Sequence, residues 1–261
     1  MGKVVFMMTD GLRPDAINDE NTPNLMQFRA RGASTLTAQS IVPSITLPCH
    51  TSIFHSVPST RHGITDNIWK PMVSPVVGLV EQISANNKRA GLIHNWERLR
   101  DLNRHEQLYF SFYINTGYNL DGDDILVETA MEWIPKAACD FWFVYFASID
   151  VAGHMFGWMD IDYIKQVTHV DYLIGRLLSV IDEDTTVIIH SDHGGHDRDH
   201  GTEMPEDMTI PYIVAGPNIK QNYTIQSPVS LLDTTPTIAH VLDIPQHKDW
   251  EGKIIGDMFE V

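Results

Sequence analysis

The sequence predicts an α/β fold, a mostly parallel central sheet with helices on both faces. Short, fully apolar runs of strand length alternate with helix-like stretches along the whole chain. No internal repeat, low-complexity tract or Pro/Ser-rich linker interrupts that alternation, so the 261 residues read as one catalytic-size domain, 1–261. A hydrophobic fraction of 43% supplies the core such a fold needs.

The elements follow in order. Residues 3–8 are an apolar run that ends in Thr9-Asp10-Gly11, a strand entering a loop. Asn21-Thr22-Pro23 opens a helix with a cap residue and a proline. Residues 33–41 read as a strand. Val76, Val77, Leu79, Val80 and Ile83 fit a helix face. Residues 89–94 and 108–114 are two further strands, and Ile125 to Ile134 a helix. Residues 141–147 form a wholly apolar run, as expected of a central strand. The helix at 160–181 has the clearest periodicity, with Ile161, Ile164, Val167, Leu173, Ile174, Leu177, Leu178 and Ile181 recurring at three and four residues. A buried strand at 185–189 ends at His190-Ser191-Asp192-His193-Gly194. Residues 209–215 read as a strand broken by Pro211, and residues 231–241 as a last helix with Pro236 as an interruption or a start.

In an open α/β sheet, ligands gather at the carboxyl ends of the strands. Asp10, Asp150 and Asp192 each follow an apolar strand-like run, so the fold predicts that all three meet at one sheet edge. His154, His193, His196 and His200 lie near them in sequence. Carboxylates mixed with imidazoles suit zinc, with manganese or iron as substitutes. Thr46 and Ser44, in Pro43-Ser44-Ile45-Thr46-Leu47-Pro48-Cys49-His50, are candidate nucleophiles at a helix N-terminus, where positive potential favours an anion. Spacing does not choose between the two hydroxyls, and Thr46 also fits a simple N-cap. Cys49 reads as a small buried thiol and His196 as part of a solvated loop.

The formal net charge is −16, from 18 Lys and Arg against 34 Asp and Glu. That balance disfavours duplex nucleic acid as a partner. A small anionic substrate stays open, because bound cations reverse the local sign. No run is long enough for a membrane span. Two cysteines are too few to argue for an oxidising compartment, and a cytoplasmic location is expected. Oligomeric state is open.

The ordered set Asp10-Gly11, Thr46-Leu47-Pro48-Cys49-His50, His62-Gly63-Ile64 with Asn67, Asp150-x-x-Gly153-His154 and Ser191-Asp192-His193-Gly194 resembles the alkaline phosphatase superfamily. Within it, the set is most similar to the type I phosphodiesterase/nucleotide pyrophosphatase branch. The resemblance extends through Ile210-Pro211, Gly216-Pro217-Asn218 and Asp233-Thr234-Thr235-Pro236, nearly the whole chain. It implies an alkaline phosphatase-like fold and a site for two divalent metal ions, zinc foremost. Asp10, Thr46, Asp192 and His193 would hold one, and Asp150, His154 and His200 the other. It also implies that Thr46 is the nucleophile, forming a phospho-threonine intermediate, and that Asn67 donates to a phosphoryl oxygen. The implied activity is hydrolysis of phosphodiester or pyrophosphate bonds in a small phosphate-ester substrate. Phosphomonoester, phosphonate or sulfate-ester hydrolysis is the alternative on the same fold, and a non-catalytic metal-binding protein the alternative from another class. A formylglycine sulfatase is disfavoured, since neither Cys49 nor Cys139 begins a Cys-x-Pro-x-Arg run.

Only seven positions separate His193 from His200, so the chain reads as a trimmed core with a small or absent cap. Residues 68–121 are the candidate cap, with Trp69, Trp96, Tyr109, Phe112, Tyr113 and Tyr118 available to stack on a base or to pack the core. No Lys or Arg is placed by the sequence as a further phosphate clamp, and Arg13 has no evident role.

Overall fold

The computed structural model describes residues 2–260. In chain order the elements are β1 (Lys3–Thr9), α1 (Pro23–Ala30), β2 (Ala33–Gln39), α2 (Thr46–His55), α3 (Ser59–His62), α4 (Leu79–Ala85), β3 (Ala90–His94), β4 (Phe110–Tyr113), α5 (Asp124–Trp133), β5 (Phe141–Phe146), α6 (Ser148–Phe156), α7 (Ile161–Leu178), β6 (Thr185–His190), α8 (Pro205–Met208), β7 (Thr209–Ala215), β8 (Tyr223–Thr224) and α9 (Thr234–Val241). Eight strands form one sheet in the order β4-β3-β5-β1-β6-β7-β2-β8. Every pairing is parallel except the two made by β7, with β6 and with β2.

β1 lies at the centre, paired with β5 on one side and β6 on the other. Both its faces are covered, which explains its unbroken apolar run. Val4, Phe6 and Met8 face one core, built with Leu47, Ile53 and Phe54 of α2, Leu79 and Ile83 of α4, and Ile238 of α9. Val5 and Met7 face the other, built with Leu25 and Phe28 of α1, Leu126 of α5, Ile149 of α6, and Tyr163, Val167 and Ile174 of α7. The period-2 alternation of one strand therefore fixes a three-layer stack. α7 is capped by Asp160, whose carboxylate accepts from the Asp162 N–H at 3.0 Å.

Two expectations about prolines change. Pro211 does not break its strand, and β7 runs unbroken from Thr209 to Ala215. The register of β2 against β7 shifts between Thr35 and Ala38, opposite Pro211, so the missing N–H falls at a bulge. Pro236 lies in the first turn of α9, where no helical N–H is lost, and marks a start. The segment 68–121, expected as a candidate cap, supplies the helix α4, the edge strand β4 and its neighbour β3. Its loops carry Trp96, Arg98 and Tyr118 to the rim of the cleft described next.

Candidate active site

Three adjacent parallel strands, β5, β1 and β6, end at the same edge, and each hands a carboxylate to it. Asp10 follows β1 directly, Asp192 and His193 follow β6, and Asp150 lies in the first turn of α6, just beyond β5. Asp150 and His154 stand four residues apart and so share one helix face. The structure gathers two groups whose donor atoms lie within 4.8 Å of one another, Asp10 with Asp192 and His193, and Asp150 with His154 and His200. Asp10, Thr46, Asn67, Asp150, His154 and His200 line one cleft of about 340 Å³. His193 is buried next to this lining, its ring stacked on that of His200 with centroids 3.8 Å apart.

The two candidate nucleophiles separate cleanly. Thr46 is the first residue of α2, the N-cap being Ile45, and its hydroxyl is not used as a cap. Instead Oγ1 lies 3.2 Å from His193 Nε2. The Ser44 hydroxyl donates to the Thr202 carbonyl at 2.8 Å and is occupied in holding the loop. Cys49 is buried against Ser40, and burial pushes its thiol well up, so it is not poised as a nucleophile.

The donor set fits divalent cations. Nδ1 of His193, His154 and His200 faces the carbonyl oxygens of Gly194, Arg198 and Ser44 at 2.8, 2.9 and 2.8 Å. A carbonyl only accepts, so each Nδ1 carries the proton and each Nε2 presents its lone pair to the site. Burial pulls His193 down to about 4 and His200 to about 3, which keeps both rings neutral. Each of the three carboxylates has one buried oxygen without a hydrogen-bond partner, Asp10 Oδ1, Asp150 Oδ1 and Asp192 Oδ2. Burial, then mutual repulsion, raises Asp10 well above the ordinary carboxylate range. Burial is also the main cause that lifts Asp150 to about 7. Unpartnered anionic oxygens crowded beside neutral imidazoles are what a bound cation would satisfy.

Two glycines of the motifs have steric reasons. Gly11 adopts φ +71°, and a Cβ there would come within 3.0 Å of the Asp150 backbone. A Cβ on Gly153 would strike the indole of Trp158 at 2.5 Å. That indole in turn donates from Nε1 to the Gly11 carbonyl at 2.9 Å, tying the Asp10 loop to the turn that follows α6.

Several supporting residues escape the sequence reading. Asp123 is fully buried and accepts from the N–H groups of Ala147 and Ser148, both at 3.0 Å, and from the Ser148 hydroxyl at 2.5 Å. It caps the start of α6 from 25 positions upstream, where no local cap pattern points to it. His196 is not simply solvated. Its Nδ1 donates to Asp207 at 2.7 Å, and Asp207 also accepts from the N–H and hydroxyl of Thr202, fixing the turn that delivers His200. Arg13 donates to the Gly195 carbonyl at 3.1 Å, which links the Asp10 and His193 loops.

Tyr145, the one phenol in the apolar run of β5, donates its hydroxyl to Asp10 Oδ2. Its signal was a phenol hydroxyl in a wholly buried strand whose one other polar side-chain atom is the indole nitrogen of Trp142. Tyr145→Phe leaves Asp10 free to rotate and is expected to weaken divalent-metal affinity about 10–100-fold. Activity returns at saturating metal. Titrating metal against activity in both proteins checks this.

The family model described as type I phosphodiesterase / nucleotide pyrophosphatase matches residues 4–209. The chain belongs to that family. Among curated relatives, it is 26% identical to the 2,3-bisphosphoglycerate-independent phosphoglycerate mutase of Cellvibrio japonicus, over 91% of this chain and 50% of the mutase. It is 22% identical to ectonucleotide pyrophosphatase/phosphodiesterase family member 1 of Rattus norvegicus, over 71% of this chain and 23% of that protein. The chain thus spans half or less of the length of these two relatives. Among solved structures, human ectonucleotide pyrophosphatase / phosphodiesterase 5 superposes with a TM-score of 0.84 at 14% identity, covering 99% of this chain and 100% of that one. A 2-O GAG sulfatase gives a TM-score of 0.78 at 15% identity, over 99% and 74%. At these identities the superpositions establish the shared alkaline phosphatase-type fold. Among the described residues no helix is long and apolar enough to cross a membrane.

Proposed function

We propose that this chain hydrolyses phosphodiester or pyrophosphate bonds through a phospho-threonine intermediate, with two divalent cations as cofactors, zinc foremost and manganese or iron as alternatives. The observation that carries this reading is the convergence of two three-donor groups on the cleft that holds the Thr46 hydroxyl. Asp10, Thr46, Asp192 and His193 would hold one cation, and Asp150, His154 and His200 the other. When bound, the cations would supply the Lewis acidity that lowers the hydroxyl pKa and offsets charge on the leaving oxygen.

The chain's own residues do the rest. Thr46 Oγ1 gives its proton to solvent and bonds to phosphorus as the ester bond breaks, the electron pair of that bond departing on the leaving oxygen. Water then cleaves the phospho-threonine and restores the hydroxyl. Asn67 accepts from the Leu47 N–H through Oδ1 at 2.9 Å, which leaves its Nδ2 as a fixed donor to a phosphoryl oxygen. The N-terminus of α2 adds positive potential at the same place.

Phosphomonoester chemistry is a second reading, favoured by the extent of the phosphoglycerate mutase match. Initial rates of the metal-loaded protein on bis-p-nitrophenyl phosphate and on p-nitrophenyl phosphate separate the two. The diester is expected to be turned over faster, and a clear monoester preference would reverse the ranking. The two buried free thiols, Cys49 and Cys139, support a reducing, cytoplasmic setting.

A further inference from the structure

In a chain of net charge −16, one fixed positive charge stands on the wall of the candidate active-site cleft, Arg98. Its guanidinium lies over the indole of Trp96, with Cζ 5.1 Å from the ring centroid, and Nη1 donates to the Tyr118 hydroxyl at 3.3 Å. The same hydroxyl accepts from Trp96 Nε1 at 3.1 Å. Indole and phenol together hold the guanidinium at the rim. Nearby Lys70, Arg100 and Arg104 are each matched by a carboxylate. Among the described residues, no ion pair involves Arg98. It also borders a second cleft of about 450 Å³, whose lining includes Leu47, the residue after Thr46.

Charge counting gives this cation a task. Asp10, Asp150 and Asp192 bring three negative charges to the centre. Two divalent cations would leave one positive charge in excess while Thr46 keeps its proton and none once it is lost, so a single phosphodiester anion already exhausts it. A second anion on the substrate then finds no counter-charge at the centre and a net-negative protein around it. Arg98 shares its cleft with Thr46 as well as with Asp150, His154 and His200, so an anion carried on the leaving group lies in the same cleft as this guanidinium.

We infer that Arg98 is a specificity-determining residue, which binds a second oxyanion, phosphate or carboxylate, carried on the leaving group. This inference rests on the hydrolase reading above. Its planar fork of N–H donors suits either oxyanion.

The test compares wild type, Arg98→Ala and Arg98→Lys, each metal-loaded, on three thymidine 5′-phosphate substrates. These are the p-nitrophenyl ester, the p-carboxyphenyl ester and thymidine triphosphate, whose leaving groups carry no extra anion, a carboxylate and a pyrophosphate. Arg98→Ala is expected to raise KM roughly tenfold to a hundredfold for whichever charged leaving groups the site accepts, with kcat little changed. The p-nitrophenyl ester serves as the internal control and stays near wild type, and Arg98→Lys recovers part of the loss. Comparing the two charged arms tells phosphate from carboxylate. In the Thr46→Ala background, calorimetric binding of the preferred charged substrate weakens by the same factor. An equal effect of Arg98→Ala on all three substrates, or no effect on any, would overturn the inference while leaving the hydrolase reading intact. Absence of turnover of all three by wild type would overturn the hydrolase reading and this inference with it.

Discussion

Thr46→Ala is expected to lower kcat by a factor on the order of 10⁴ or more, because it removes the atom that bonds to phosphorus. The metal donors Asp10, Asp192 and His193 remain, so metal content measured on the purified variant stays close to that of wild type. Ser44→Ala is the matched control. It loses one hydrogen bond to the Thr202 carbonyl. That costs about 1 kcal/mol of stability and leaves the rate near wild type. Thr46→Ser keeps a hydroxyl at the α2 N-terminus and should retain measurable turnover. Near-normal activity in Thr46→Ala would rule out the covalent route.

Divalent metal should stabilise the fold strongly. Ligand that binds only the native state at about 1,000 times its Kd adds about 4 kcal/mol per site. At roughly 2–4 °C per kcal/mol for a domain of this general size, that is an increase of about 8–16 °C in Tm for each site filled. Scanning calorimetry with zinc or manganese, then with a chelator, measures it. His200→Ala should remove much of the increment. His196→Ala should keep most of it, since His196 acts on the loop through Asp207 and donates nothing to the centre. The reverse pattern would exchange their roles. A Tm indifferent to metal and chelator would show that the clustered carboxylates hold no cation.

Much of this was legible from residue order alone. The apolar runs at 3–8, 141–147 and 185–189 lie where β1, β5 and β6 form, because a strand buried on both faces leaves little room for polar residues. The residues that follow those strands then had to meet at one edge. What escaped was the support, and for a physical reason. Asp123 caps α6, Tyr145 steadies Asp10, and Asp207 braces His196 across separations of 25, 135 and 11 residues. Local patterns report only local partners. Arg98 was missed likewise, since its place beside the cleft depends on how the turn Glu97–Leu102 packs. Pro211 misled because a proline's cost depends on the neighbouring strand, here a bulge in β2.

Each of the three imidazoles is oriented by a main-chain oxygen, on Gly194, Arg198 and Ser44. An oxygen of that kind is present whatever amino acid stands there. Mutational drift at Arg198 or Ser44 can therefore proceed without changing which ring nitrogen holds its proton, provided the loop keeps its path. In a saturation library selected for activity, position 198 should accept many replacements while position 154 accepts almost none. Evolution is thereby left free to rewrite the surroundings of such a centre while its chemistry stays the same.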